Sequence, residues 1–165
     1  WDDNRSRRYA PARVSRRMNE VEVSMVPSDY VDQVWPNIEP YMEGAVKYTH
    51  GRYTADDVKD SILQYDHILW IAYDDTCIKG AVVTNVVHYP SKKCLSMVFT
   101  GGILLKTWKD PMLVILQKWA KEHECDVIES TGRPGWAKIF TNDGHKIVWH
   151  TYELPVEAGI GVENG

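Results

Sequence analysis

The stretch from His67 to Phe99, HILWIAYDDTCIKGAVVTNVVHYPSKKCLSMVF, decides the fold. It contains three apolar segments with the length and composition of β-strands, at residues 67–73, 79–87 and 93–99. Turns of a few residues separate these segments, and connections this short join only antiparallel strands. The stretch therefore predicts an antiparallel meander, around which the rest of the chain must be arranged.

One strand and one helical region are expected before the meander. Residues 20–26, EVEVSMV, alternate between apolar and polar side chains, which indicates a half-buried strand. Residues 28–48 place apolar side chains at helical spacing. Pro36 and Pro40 lie inside this region, and because proline cannot donate the helical hydrogen bond, they predict a kink or a break into two short helical pieces.

Capping residues mark two further helix starts. Thr54 is followed three positions later by Asp57, a pattern that caps a helix, and this helix is expected to end near Gln64. Asp110 and Pro111 place a capping side chain directly before a first-turn proline, which predicts that another helix begins there. Apolar residues recur at helical spacing after both caps, so both helices are expected to pack on the sheet.

The C-terminal part of the chain predicts a short strand over residues 126–130, a helix over 136–141 and a last alternating strand over 145–154. A strand reached through a helix can lie parallel to the strand before it, so residues 93–99 and 126–130 are candidates for a parallel pair. The fold class that follows is α/β, with a mixed, mostly antiparallel twisted sheet and helices on both faces.

The chain is expected to have three parts: an extended arm over residues 1–19, a single domain over 20–154 and a flexible tail over 155–165. The arm has neither helical nor strand periodicity. It contains six arginines and two aspartates, a net charge of +4, whereas the remaining residues contain 13 basic and 21 acidic side chains, a net charge of −8. A basic arm on an acidic body indicates a charged partner.

Three interpretations of the arm stay open. It can insert between neighbouring subunits of an assembly, where arginine pairs well with carboxylates. It can contact nucleic acid, or it can be a disordered leader without a role. No apolar run approaches the roughly 20 residues that a membrane helix needs, so no membrane partner is expected. The candidate partner-binding residues are Arg5, Arg7, Arg8, Tyr9, Arg13, Arg16 and Arg17.

The order of these elements resembles the GNAT (N-acetyltransferase-like) fold over residues 20–154. The stretch LWIAYDD…IKGAVVT of the meander and the later stretch WAKEHECDVIESTGRPGWAKIFTNDGHK support the resemblance. Residues 128–136, IESTGRPGW, followed by a short helix and Asp143-Gly144, resemble GNAT-like proteins encoded among the virion genes of tailed bacteriophages. That resemblance implies a protein made in the bacterial host cytoplasm and present in the virion, with other virion proteins as its partners.

The resemblance also indicates where acyl-CoA would bind. Proteins of this family have a pyrophosphate loop, (R/Q)-x-x-G-x-(G/A), between the fourth strand and the next helix, where helix amides bind the anion. Residues 99–110, FTGGILLKTWKD, lack that motif, and Asp110 at the predicted helix start would repel a phosphate. We therefore expect no cofactor. If acetyl-CoA does bind, Gly101, Gly102 and Lys106 are the candidate residues.

Acetyl transfer also needs a base for the amine and an acid for the thiolate. Glu129 on the predicted strand and Tyr152 on the last strand are the catalytic candidates, and each is also compatible with a purely structural role. The six histidines show no spacing typical of a metal site, so no metal is expected.

The sequence therefore favours a non-enzymatic, degenerate GNAT-fold structural component of a tailed-phage virion, which docks on neighbouring virion proteins through its N-terminal arm. Two alternatives stay open. The first is an active acetyl-CoA-dependent N-acyltransferase with a divergent CoA site. The second is a protein that contacts nucleic acid.

Overall fold

The computed structural model of the protein describes residues 20–64, 66–132 and 144–157. The chain divides into two compact units between Gly132 and Arg133. The predicted arm, the predicted helix over 136–141 and most of the predicted tail lie outside the described residues. No helix in the described part of the chain is long and apolar enough to cross a membrane.

A five-stranded sheet forms the centre of the first unit, with its strands in sequence order. The strands are β1 (Glu22–Val26), β2 (Ile68–Tyr73), β3 (Ile78–Tyr89), β4 (Lys92–Gly102) and β5 (Val127–Ser130). Neighbouring strands are antiparallel except β4 and β5, which are parallel. The predicted meander, the first strand and the mixed, mostly antiparallel sheet are therefore confirmed.

Helices cover both faces of this sheet. They are α1 (Val31–Val46), α2 (Ala55–Leu63) and α3 (Leu105–Glu122). Side chains alternate between the faces of a strand, so Leu69 and Ile71 of β2 pack with α1 and α2, whereas Trp70 and Ala72 pack with α3. The predicted placement of helices on both faces is confirmed.

The expected break in the first helical region is wrong, because Pro36 and Pro40 both lie inside the continuous helix α1. An interior proline costs about 3 kcal/mol or more. Burial of one large apolar side chain returns about 1.5–3 kcal/mol, and five side chains on one face of α1 are buried. These are Val31, Val34, Trp35, Ile38 and Met42. Packing against the sheet thus outweighs the local cost of the prolines.

Helix α2 begins as its sequence predicts. The Asp57 amide donates to the Thr54 hydroxyl oxygen at 3.1 Å, and the Thr54 amide donates to the Asp57 carboxylate at 2.8 Å. These two bonds form a capping box. The hydrogen bonds from Thr54 lower the pKa of Asp57.

The predicted start of the third helix at Asp110 is wrong, since α3 begins at Leu105. Trp108, Met112 and Leu116 recur every four residues and are all buried in the core beneath the sheet. Burying Trp108 requires helix before Pro111, and the helix accommodates this proline in its interior. The burial of the tryptophan has therefore overridden the local Asp-Pro signal.

The predicted last strand over residues 145–154 is also not a strand. This segment belongs to the second unit, where the described residues have no regular secondary structure. Trp149 and Val148 are more than half exposed. A strand requires a hydrogen-bonded neighbour, and the described residues of the second unit supply none.

Candidate functional site

Strands β4 and β5 pair along only half of β4. Their last paired residues are Met97 and Ser130, and the amide of Thr131 makes one further bond, of 3.3 Å, to the Met97 carbonyl. Strand β4 then continues to Gly102. Within the described residues, no strand pairs with this last part of β4 on the β5 side. The open edge offers backbone donors and acceptors to an extended ligand.

A β-bulge lies at the point where the two strands separate. Thr84 of β3 pairs with Met97, and Val83 pairs with Phe99, so Val98 has no partner on β3. A bulge of this kind bends its strand, leaves one residue outside the ladder and is frequent beside functional sites. Val98 therefore lies outside the β3–β4 register at the place where the edge opens.

The chain passes from β4 into helix α3 through only two residues, Ile103 and Leu104. Leu104 is the helix N-cap, adopts the left-handed conformation with φ of 51° and makes no side-chain capping bond. An α-helix leaves its first amides without intrahelical acceptors, and these amides carry partial positive charge. The first turn of α3 contains no acidic residue, and the exposed Lys106 lies in it. This combination is typical of an anion-binding helix start.

Asp110 does not obstruct this helix start. It lies five residues after Leu105, which places it about 7.5 Å farther along the helix axis. Its side chain is 78% exposed and lies 3.6 Å from the Lys109 ammonium, a partly exposed pair that contributes little to stability. The expectation that this carboxylate occupies the helix start is therefore wrong, because the helix begins more than one turn earlier.

Gly101 and Gly102 end β4 rather than forming a flexible loop. A Cβ atom on Gly101 would collide with the Tyr41 carbonyl of α1. A Cβ atom on Gly102 would collide with the Lys79 carbonyl, and Gly102 has a φ of +152°, which favours glycine. Both glycines thus permit close packing beside the open edge.

Glu129 is half-buried on β5, one residue before the strands separate. The hydroxyl of Tyr89 donates to both oxygens of its carboxylate, at 3.0 and 3.1 Å. Burial, followed by the hydrogen bond and the charge of Glu129, raises the pKa of Tyr89. Since Ile128 packs beneath α3, Glu129 points to the opposite face of the sheet, the face that α1 covers.

The connection between α1 and α2 brings an aromatic side chain, that of Tyr53, close to the bulge in β4. The ring of Tyr53 meets that of Phe99 edge-on, with 5.1 Å between centroids, and Phe99 directly follows the bulge at Val98. Tyr53 is 41% exposed. Sequence reasoning missed this residue, although the left-handed pair His50 and Gly51 marks a tight turn just before it.

The two predicted catalytic residues are not on the same unit of the protein. Glu129 belongs to the first unit, whereas Tyr152 belongs to the second, lies outside any strand and is 88% exposed. The partner-binding residues predicted on the arm lie outside the described residues. Their roles therefore stay predictions.

Neither a protein-family model nor a curated protein matches this sequence. Solved structures do resemble it. An aminoglycoside N-acetyltransferase in complex with CoA has a TM-score of 0.64 at 13% identity, over 88% of this chain and all of that one. A ribosomal-protein-alanine N-acetyltransferase from Brucella melitensis has a TM-score of 0.62 at 11% identity, over 82% of this chain and 98% of the other.

A GNAT family acetyltransferase from Staphylococcus aureus has a TM-score of 0.60 at 8% identity, over 83% of this chain and 99% of the other. The TM-scores show a shared fold, and at identities this low the likeness shows the fold alone. These neighbours are acetyltransferases, and the comparisons give no support to the expected role in a virion.

Proposed function

Because the chain has the GNAT acetyltransferase fold, we propose that the protein is an acyl-CoA-dependent N-acyltransferase with a divergent CoA site. The observation that carries this proposal is the start of α3 at Leu105, two residues beyond the junction with β4 and with no carboxylate in the first turn. The structural likeness to an acetyltransferase in complex with CoA supports acetyl-CoA as the donor.

The residues at the start of α3 suit a diphosphate although the usual loop motif is absent. The amides of Leu104, Leu105 and Lys106 would donate to its oxygens, and the Lys106 ammonium would add charge. A left-handed leucine costs on the order of 1–2 kcal/mol. Strain of this kind concentrates at functional sites, where the surrounding structure maintains it. We therefore propose that Leu104 provides the sharp turn that glycine provides in the usual motif.

The open edge of β4 from Val98 to Gly102 would hold the extended part of the donor. Backbone groups there can pair with amide groups of a ligand as a neighbouring strand would. The donor supplies an activated thioester. In the reaction, the amine nitrogen forms a bond to the thioester carbonyl carbon, the carbon–sulfur bond breaks, and the electron pair leaves with the sulfur.

Proton transfer completes the reaction. The attacking amine must lose one proton, and Glu129, held by Tyr89, is the proposed acceptor. The leaving thiolate gains a proton from water. Tyr53, which lies beside Phe99, would line the part of the site that binds the amine substrate.

An acyl-transfer assay tests this proposal. The protein would be incubated with acetyl-CoA and a panel of small amines and peptides, and release of the free thiol would be followed over time. We expect thiol release that depends on an amine and that falls in a Glu129→Gln variant. Glu122→Gln is the matched control, because Glu122 is exposed at the far end of α3. Amine-independent release at the uncatalysed rate would contradict the proposal.

A further inference from the structure

Both backbone groups of Ile103, the first residue after β4, are held by hydrogen bonds. Its amide donates to the Lys79 carbonyl of β3 at 2.8 Å. Its carbonyl accepts from the indole Nε1 of Trp108 at 2.8 Å. The second bond reaches back from the first turn of α3 across the junction, so it closes the turn that contains Leu104.

Two glycines of the sheet leave room for the indole of Trp108. Gly80 of β3 and Gly102 of β4 are paired across the sheet. A Cβ atom on Gly80 would collide with the Trp108 ring, and one on Gly102 would come within 3.1 Å of it. Trp108 itself is only 2% exposed. The ring therefore occupies a fixed position, and its N–H is directed at Ile103 by packing as well as by the hydrogen bond.

The left-handed Leu104 needs such support. Its backbone is strained for a side chain with a Cβ atom, and strained conformations persist only where neighbouring interactions over-determine them. The bonds to Ile103 fix the residue immediately before Leu104. The orientation of the first amides of α3 follows from that turn.

We infer that Trp108 is a positioning residue for the acyl-CoA phosphates, which acts by fixing the turn at Ile103 and Leu104 so that the first amides of α3 are oriented before the ligand binds. This inference rests on the function proposed above. Trp108 need not touch the ligand, because its effect passes through the backbone of the junction. Preorganisation of this kind lowers the ordering cost of binding.

A matched pair of substitutions tests the inference. Trp108→Phe keeps a buried ring and removes the donor to Ile103. Trp70→Phe is the control, since Trp70 is equally buried in the same core cluster and its Nε1 donates to the Thr84 hydroxyl at 2.9 Å, away from the junction. Should Trp108→Phe fail to fold, 3-benzothienylalanine at position 108 retains the bicyclic shape and lacks the donor.

Calorimetric titration would use two probes, acetyl-CoA and S-acetylpantetheine, which lacks the phosphates. We expect Trp108→Phe to weaken acetyl-CoA binding about three- to tenfold, Trp70→Phe to change it less than twofold, and neither to change S-acetylpantetheine binding. Equal acetyl-CoA affinities for the two variants would overturn the role of Trp108. Absence of acetyl-CoA binding by the wild type would instead overturn the proposed function, and the inference with it.

Discussion

The hydroxyl of Tyr89 donates to both carboxylate oxygens of Glu129, at 3.0 and 3.1 Å, although the two residues lie on β3 and β5 with β4 between them. The bond therefore spans the sheet one residue before β4 and β5 separate. It restrains the carboxylate next to the open edge, which is the position that a base for the incoming amine would need.

Replacement of Glu129 by Gln should lower kcat/KM for the amine by about 10²–10⁴-fold, the usual contribution of a general base. Acetyl-CoA affinity should stay unchanged, because Glu129 lies on β5 rather than at the start of α3. Steady-state kinetics and calorimetry on the same preparation measure both quantities. Wild-type turnover in this variant would show that Glu129 is an ordinary strand carboxylate.

Ionisation of Tyr89 at alkaline pH should lower the free energy of unfolding. Burial and Glu129 raise the pKa of Tyr89 in the folded state, so its contribution is complete below the unfolded-state pKa of about 10. The contribution is lost as the pH rises through the higher folded-state value. Urea unfolding at pH 8 and pH 11 should therefore show wild type and Tyr89→Phe converging at the higher pH. A constant difference in unfolding free energy between the two proteins would contradict this.

Asp74 should be important for the stability of the turn between β2 and β3. Its buried carboxylate accepts from the Thr76 hydroxyl at 2.6 Å and from the Thr76 and Cys77 amides at 2.8 and 3.1 Å, and pairs with Lys79 at 3.2 Å. Asp74→Asn should cost about 1–3 kcal/mol at pH 7. Asp75→Asn, at an exposed neighbour, is the control and should change stability little.

The same carboxylate should make the free energy of unfolding decrease at acidic pH. The Thr76 hydroxyl above all, with the backbone and Lys79 bonds, holds the pKa of Asp74 well below its usual range. The stabilisation it provides is therefore present above the unfolded-state pKa of about 3.9 and declines as the pH falls below it. Urea unfolding from pH 7 to pH 3 should show wild type and Asp74→Asn approaching each other. Parallel curves over this range would contradict the assignment.

We propose that the arginine-rich arm over residues 1–19 docks on protein rather than on nucleic acid. The arm carries +4 and the remaining residues −8, so attraction of the whole protein to duplex DNA should be weak at physiological salt. The triple change Arg7→Ala, Arg8→Ala and Arg13→Ala should leave the melting temperature unaltered. A gel shift of duplex DNA by the wild type, abolished by the triple change and steeply salt-dependent, would contradict this proposal.

The five strands of the sheet could be predicted from the sequence because they have period-two or continuous apolar patterns. The similar pattern over residues 145–154 predicted a further strand that is not formed. The two errors in the helices share one physical cause. Pro36 and Pro40 in α1, and the Asp110-Pro111 signal in α3, are local preferences. Burial of side chains such as Trp108 is a tertiary effect of larger total free energy. Local signals therefore predicted both ends of α2, but they missed the continuity of α1 and the start of α3.

The candidate site could be predicted only in part. The sequence named the segment after β4 and Glu129 as candidates, and both stay predictions. The repulsion of phosphate attributed to Asp110 depended on a wrong helix start. Tyr53, Tyr89 and Trp108 were missed because each acts through a contact set by the fold. No pattern in the neighbouring sequence indicates that an indole will reach back to a carbonyl five residues earlier.

Calorimetric titration of the protein with acetyl-CoA tests the central claim most directly. A donor site at the start of α3 predicts a micromolar dissociation constant, about −8 kcal/mol. Lys106→Ala should weaken binding about three- to tenfold. Lys118→Ala, on an exposed position about three-quarters of the way along the same helix, should not. Absence of binding at millimolar acetyl-CoA, or equal effects of the two lysine substitutions, would contradict the account.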